Sequence, residues 1–178
     1  MSGKMDFSKG FNVQLATLFG IGRIPGGGTW ASLIVLLIAL YEQNAETASF
    51  LAFFTLIIGP NAYRKLTALV EYEDPKEYVL DEIIGMGIAI SGVYIFTRIF
   101  NQFSFDFIES LSATSELFIL TFIVFRFFDI SKIGPVGWVE NNSKEKAYNR
   151  VIGDDIMAAL LSIIVVIIFL SVNLWILQ

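Results

Sequence analysis

The sequence contains no cysteine and no histidine. Without cysteine there are no disulfides, no thiolate nucleophiles and no thiolate zinc sites. Without histidine, phosphohistidine-forming phosphatases, Ser-His hydrolases and imidazole-ligated metals are excluded. Any chemistry must rest on Asp, Glu, Lys, Arg, Ser, Thr, Tyr or the backbone. Charge is also scarce, at 16% of residues, where soluble domains carry about 25%. The opening MSGKMDFSKGFNV lacks an apolar run of the kind a signal peptide needs. The formal charge of −5 argues against a nucleic-acid partner, because phosphate backbones call for a basic face.

What fills the chain instead is apolar. Of 178 residues, 55% are hydrophobic and 15% aromatic, with mean hydropathy +0.67. This predicts an all-α integral membrane bundle, a single domain over 1–178. Five apolar segments are expected: Trp30–Tyr41, Ala48–Gly59, Ile83–Phe100, Leu117–Phe128 and Ile156–Leu177. Only the last reaches a membrane length of about 20 residues. Eleven of the twelve basic residues, at 4, 9, 23, 64, 65, 76, 126, 132, 144, 146 and 150, fall on one face of a five-span arrangement, and Arg98 lies near the other. The positive-inside rule makes the first face cytoplasmic, with Gln178 outside. Trp30, Tyr41, Trp138 and Trp175 fit interfacial anchors.

The polar clusters are few, and this topology gathers all of them on the cytoplasmic side. Gly26-Gly27-Gly28-Thr29 precedes the first segment, Asp81-Glu82 opens the third, Arg126, Asp129 and Lys132 close the fourth, and Asp154-Asp155 open the fifth. Asp74, Pro75 and Glu77 read as the capped start of a helix running into the third segment. Acids at the mouths of membrane helices are costly unless a cation accompanies them. They are either solvated helix ends favoured by the macrodipole or a shared site. Arg126, Asp129 and Lys132 share a helical face, as a structural pair with a snorkelling lysine or as a phosphate clamp beside a carboxylate. Asp154 is four residues from Arg150, close enough to pair, and the two acids of its dipeptide point about 100° apart on a helix. With only oxygen ligands available, the plausible ions are Mg²⁺, Mn²⁺ or Ca²⁺. The GGGT loop offers N–H groups to an anion, with Thr29 as N-cap or ligand, or it is simply a turn. Gly85, Gly87, Ala89, Gly92, Ala158, Ala159 and Ser162 suit close helix packing.

Four blocks, GRIPGGGTWAS, EDPKEYVLDEIIGM, FRFFDISKIGP and IGDDIMAALLS, resemble in order and spacing the motifs of the phosphatidylglycerophosphatase A family. The resemblance covers about Gly20 to Ser162. The matching residues are Gly28, Thr29, Ser32, Asp74, Asp81, Glu82, Gly85, Arg126, Asp129, Lys132, Pro135, Asp154 and Asp155. Three departures concern loops: Gly27 and Ile133 stand where the family usually has proline, and Ala147, Tyr148 and Arg150 replace a glycine-rich approach to the second acid pair. The resemblance implies a Mg²⁺-dependent membrane enzyme that hydrolyses the terminal phosphomonoester of phosphatidylglycerophosphate. Asp81, Glu82, Asp154 and Asp155 are then expected to hold metal, with Asp129 joining them in catalysis. Gly28, Thr29, Arg126 and Lys132 are expected to hold the substrate phosphate. The attacking group, water or an Asp carboxylate, stays open. Also expected are an inner-membrane location with the site facing the cytoplasm, a phospholipid substrate within the bilayer and room for a homo-oligomer. Two rivals remain: a phosphatase of another lipid phosphate, and a cation transporter or channel using the same acids.

Overall fold

The computed structural model describes residues 10–70, 73–103, 114–141 and 146–176. Every regular element among them is helical. In chain order these are α1 (Phe11–Ala16), a short 3₁₀ segment (Leu18–Arg23), α2 (Gly27–Glu42), α3 (Glu46–Val70), α4 (Leu80–Phe103), α5 (Thr114–Ser131), α6 (Pro135–Glu140) and α7 (Ala147–Ile176). Lys4, Lys9, Lys144 and Leu177 lie outside the described residues, and so does the side chain of Trp175.

Helix α4 occupies the centre and packs against α2, α3, α5 and α7. Its small residues explain how four helices reach it. A Cβ on Gly85 would stand 2.8 Å from the Phe125 ring and 3.0 Å from the Asp155 Cβ. One on Gly87 would meet the Ala52 Cβ at 2.8 Å, and one on Gly92 would run into Ile163. Ala89, Ala158, Ala159 and Ser162 are fully buried at the same contacts. Where the surroundings are lipid, apolar burial gives helices little reason to associate, and close packing of this kind takes over.

The outer surface is apolar as well. Ile164, Val165, Ile168, Phe169 and Val172 of α7 are exposed, as are Phe50, Phe53 and Ile57 of α3 and Ile119, Ile123 and Phe127 of α5. A soluble monomer seldom shows a contiguous apolar surface of this extent. Two stretches are long and apolar enough to cross a membrane: Leu80–Phe100 and Ala147–Asn173, with mean hydropathies of 1.8 and 2.8. The first gains its length because α4 starts three residues before the apolar run at Ile83. Trp30, Tyr41 and Trp138 are exposed, as interfacial anchors require.

Two helix boundaries depart from the sequence reading. Helix α3 does not stop at Gly59 but continues through Pro60 to Val70. Proline removes one N–H from the ladder, and the buried side chains of Ala62, Tyr63 and Leu66 hold the next turns in place. Residues Asp74–Val79 do not begin a helix, so Asp74 caps nothing. Tyr78 N–H closes a turn on the Pro75 carbonyl (2.8 Å), and Val79 N–H donates to Ala16 O of α1 (3.1 Å). Those tertiary bonds, with Pro75, Tyr78 and Val79 buried, outcompete the local capping preference.

Candidate active site

The first turn of α4 carries Asp81 and Glu82, and the third turn of α7 carries Asp154 and Asp155. The tight approach at Gly85 sets these two helix ends side by side. Helix α5 brings Asp129 to the same place and then ends at Ser131. Lys132 adopts a left-handed backbone (φ 50°) while its N–H still reaches Phe128 O at 3.0 Å. A left-handed conformation costs a β-carbon residue about 1 kcal/mol. Here it breaks the helix, and the lysine lies over the acids rather than continuing up the α5 face. Helix α6 backs this turn, with Gly137 pressed onto the Lys132 carbonyl where a Cβ would not fit.

These residues line a cavity of about 420 Å³. Asp81, Glu82, Asp129, Lys132, Asp154 and Asp155 face it, while Glu73, Asp74, Lys76, Tyr78, Glu140 and Arg150 also contribute to its walls. One carboxylate oxygen each from Asp81, Glu82 and Asp155 fall within 4.8 Å of one another. Glu82 Oε2 and Asp155 Oδ1 are buried with no hydrogen-bond partner among the described residues. A buried carboxylate oxygen without a donor is expensive, so these two atoms fit a cation ligand set. The donors are all oxygen, which suits a hard divalent ion such as Mg²⁺.

Two cations in and beside the cavity are already engaged, Lys132 and Arg126. Lys132 Nζ forms an ion pair with Asp154 Oδ2 and a second with Asp129 Oδ1 at 3.4 Å. Burial works to lower its pKa, but hydrogen bonding to Asp154 and the charges of Asp154 and Asp129 outweigh it and raise it above the ordinary lysine value. Arg126 pairs with Asp129 Oδ2 through Nη1 and donates from Nη2 to Thr29 Oγ1 at 3.0 Å. Five carboxylates thus stand against two cations, a balance that a bound divalent ion would redress. Burial, and then the charge of Asp81, push the Tyr78 phenol above its ordinary value, so it remains a neutral hydroxyl.

The sequence-expected residues therefore divide. Asp81, Glu82, Asp129, Lys132, Asp154 and Asp155 come together. Asp154 turns to Lys132 and leaves the three-carboxylate group to Asp81, Glu82 and Asp155. Arg150 does not pair with Asp154 but with Glu73 Oε2 at 3.1 Å. Gly28 and Thr29 do not line the cavity. Helix α2 begins at Gly27 with Gly26 left-handed (φ 72°), so Thr29 is no N-cap and serves Arg126 instead. The Glu82 carboxylate lies so close to Gly28 that a Cβ there would overlap it. The anion at this helix start is the chain's own glutamate, a favourable place for a negative charge. Ser32 bonds back to Gly28 O at 3.0 Å, and Pro135 starts α6. Lys76 and Tyr78 escaped sequence reasoning as cavity residues, because only the non-helical path of Asp74–Val79 carries them there.

Comparison with known proteins agrees with this arrangement of motifs. Residues 14–170 match the family described as Phosphatidylglycerophosphatase A. A Haemophilus influenzae protein named Phosphatidylglycerophosphatase A is 29% identical over 156 residues, covering 85% of this chain and 84% of that protein. No solved structure matches. Spanning nearly the whole sequence and all four motif blocks, the match means that this chain belongs to the phosphatidylglycerophosphatase A family.

Proposed function

We propose that the protein removes the terminal phosphate of phosphatidylglycerophosphate, giving phosphatidylglycerol and inorganic phosphate, at the cavity between α4, α5 and α7. One observation carries this reading: two buried carboxylate oxygens, on Glu82 and Asp155, lack any partner among the described residues in a cavity that also holds a lysine. The family and its named relative point to the substrate. In the reaction the oxygen of water forms a new bond to phosphorus. The bond from phosphorus to the glycerol oxygen breaks, and a proton ends on that oxygen.

Asp81, Glu82 and Asp155 would hold Mg²⁺, which supplies charge neutralisation at the phosphoryl group and makes water more acidic. Lys132 would offer a point charge to a phosphoryl oxygen. Asp129 and Asp154 hold that ammonium from two sides and keep it protonated. Arg126, fixed by Thr29, orients Asp129, so its role is positioning and not direct phosphate contact. Phosphoryl transfer asks for charge compensation and alignment more than for acid–base groups, so a site without histidine is chemically sufficient.

The location follows from the same reading. Helices α4 and α7 cross the inner membrane, the remaining helices complete a multi-pass bundle, and the cavity opens to the cytoplasm. Lys76, Lys132 and Arg150 at the cavity end support that orientation. A transporter would need ionisable groups along a path through the spans, whereas the acids here gather at one end.

The test is phosphate release by purified protein in mixed micelles, with phosphatidylglycerophosphate and phosphatidic acid compared before and after EDTA. Release from phosphatidylglycerophosphate that vanishes with EDTA and returns with Mg²⁺ is expected. Undiminished release after full chelation removes the metal. Ion flux in liposomes without phosphate release selects the transporter. Single cysteines at Glu140 and Tyr41, in a background that has none, test the orientation with an impermeant thiol reagent in intact cells. Labelling at Tyr41 alone is expected.

A further inference from the structure

The cavity has a neighbour. A second cleft of about 640 Å³ is lined by Arg23, Ile24, Pro25, Gly26, Lys76 and Glu77, among others. Lys76 lines both spaces and stands at their junction. Its side chain is exposed and makes no ion pair among the described residues. Arg150, the other cation on the cavity wall besides Lys132, is engaged by Glu73. The second cleft also carries Arg23 and Glu77, each with a partner of its own, which leaves Lys76 as the cleft cation with no ion pair among the described residues. Beside them is the exposed apolar side chain of Ile24, 47% accessible, with Pro25 next to it. Such an edge, basic with apolar residues, suits the level where lipid headgroups meet hydrocarbon.

The proposed substrate has two phosphates, a terminal monoester and an internal diester, separated by one glycerol unit. If the monoester lies by Lys132, the diester must lie toward the lipid and along the line by which the headgroup enters. We propose that Lys76, at the mouth of the second cleft, binds the internal phosphodiester and so selects a two-phosphate headgroup over a lipid with a single phosphomonoester. This rests on the phosphatase reading above and adds a specificity-determining residue to it. Lys76 makes no bond in the reaction. It adds a charge-assisted contact that phosphatidic acid, having no diester, cannot use. Uniform binding of this sort changes KM and leaves kcat in place.

The experiment uses the full chain in mixed micelles of a nonionic detergent at fixed substrate fraction. Phosphatidylglycerophosphate and phosphatidic acid of matched acyl chains are compared in the wild type, Lys76→Gln, Lys76→Arg and Lys65→Gln. Lys65 is exposed and lines a separate cleft between α1 and α3, so it controls for general attraction to an anionic surface. Where phosphatidic acid is not turned over, its inhibition constant replaces its KM. Lys76→Gln should raise KM for phosphatidylglycerophosphate about fivefold, the size of an exposed charge-assisted contact, with kcat unchanged. It should leave the phosphatidic acid constant unmoved, and Lys76→Arg should restore the preference. Equal effects of Lys76→Gln on both lipids, no effect on either, or the same shift from Lys65→Gln would overturn the proposal while wild-type activity stands. A wild type that releases no phosphate from phosphatidylglycerophosphate overturns the parent reading and this one with it.

Discussion

Asp81-Glu82 and Asp154-Asp155 begin alike and end differently. In each dipeptide the second residue's N–H donates to Oδ1 of the first acid at 3.1 Å. Both lie near the start of a long apolar helix. Yet Asp81 and Glu82 both turn oxygens toward a common point with Asp155, whereas Asp154 meets Lys132. The α4 pair makes no ion pair among the described residues, and Glu82 is long enough to reach back against Gly28 at the start of α2. The α7 pair lies beside the end of α5, where the left-handed turn at Lys132 delivers an ammonium to one acid only. Acid pairs at comparable positions acquire different electrostatic roles from what the neighbouring helix presents at its terminus.

The sharpest way to break that comparison is to neutralise one acid at a time. Asp81→Asn and Asp155→Asn keep volume and remove a ligand charge, so specific activity of folded protein should fall by about 10²–10³-fold, the loss seen when a key charge-stabilising group is removed. Higher Mg²⁺ should recover part of it. Relief of repulsion among the acids should leave thermal stability equal or raised. Asp154→Asn should lower activity less and leave the Mg²⁺ dependence near wild type, because that acid acts through Lys132. Identical Mg²⁺ profiles for Asp154→Asn and Asp155→Asn would erase the distinction between the two acids.

The acids themselves were legible in the sequence, and their division was not. Spacing by 100° says that neighbours diverge, and it cannot say which one meets a cation. That depends on Lys132 leaving the helix, and no glycine or proline marks the turn at 132 itself, although Gly134 and Pro135 follow closely. The small residues of α4 were readable as packing positions, because a Gly, Ala and Ser pattern in an apolar helix has few other uses. The path of Asp74–Val79 was not. Its local sequence favours a capped helix, and only the bond from Val79 to Ala16, more than 60 residues away in the chain, decides otherwise. Helix α3 outruns its apolar segment for a similar reason: beyond Gly59 the helix is held by buried contacts of Ala62, Tyr63 and Leu66 that an apolar run does not mark.

Lys132→Met comes next in size. It keeps the alkyl stem and removes the charge that Asp129 and Asp154 share, so turnover should drop by about 10²-fold, a loss of the size seen when one oxyanion-stabilising donor is removed. Metal affinity should be nearly unchanged. Asp154 is left without its cation while Asp129 keeps only Arg126, which should also lower the unfolding midpoint. The double variant Lys132→Met with Asp154→Asn should lose less stability than the two single losses added, because both remove one interaction. Strict additivity would mean that the ion pair carries no coupling, and that Asp154 belongs with the other three carboxylates after all.

Gly28→Ala examines the long arm of the α4 pair. The added methyl would overlap the Glu82 carboxylate, so that side chain must move. Overpacking of this kind costs about 1–3 kcal/mol. The expected signature is weaker Mg²⁺ binding, with the activation curve shifted to higher concentration and KM for lipid little changed. A variant with higher lipid KM and unshifted Mg²⁺ dependence would return Gly28 to a phosphate-contacting role.

Thr29→Val should have the smallest effect and carries the finest distinction. Thr29 Oγ1 accepts one hydrogen bond from Arg126 Nη2, and Arg126 in turn holds Asp129, which faces Lys132. Valine preserves the shape and removes the acceptor. A lost hydrogen bond to a charged donor costs about 1.5–3 kcal/mol when the donor is left buried, and less where it can relax toward water. The Arg126 side chain is only 13% accessible, so most of the cost should remain. It reaches the reaction through two intermediaries, however, and the loss in kcat should be only about fivefold, below what that range would give in full. Thr29→Ser keeps the acceptor and should recover most of the activity. A direct phosphate ligand would behave otherwise: valine would raise KM for the lipid and leave the Arg126–Asp129 pair intact. The deciding measurement is the kcat and KM split for the two variants, taken with Arg126→Lys. If Thr29 acts through Arg126, combining Thr29→Val with Arg126→Lys should cost little beyond Arg126→Lys alone. If it touches substrate, the two losses should multiply.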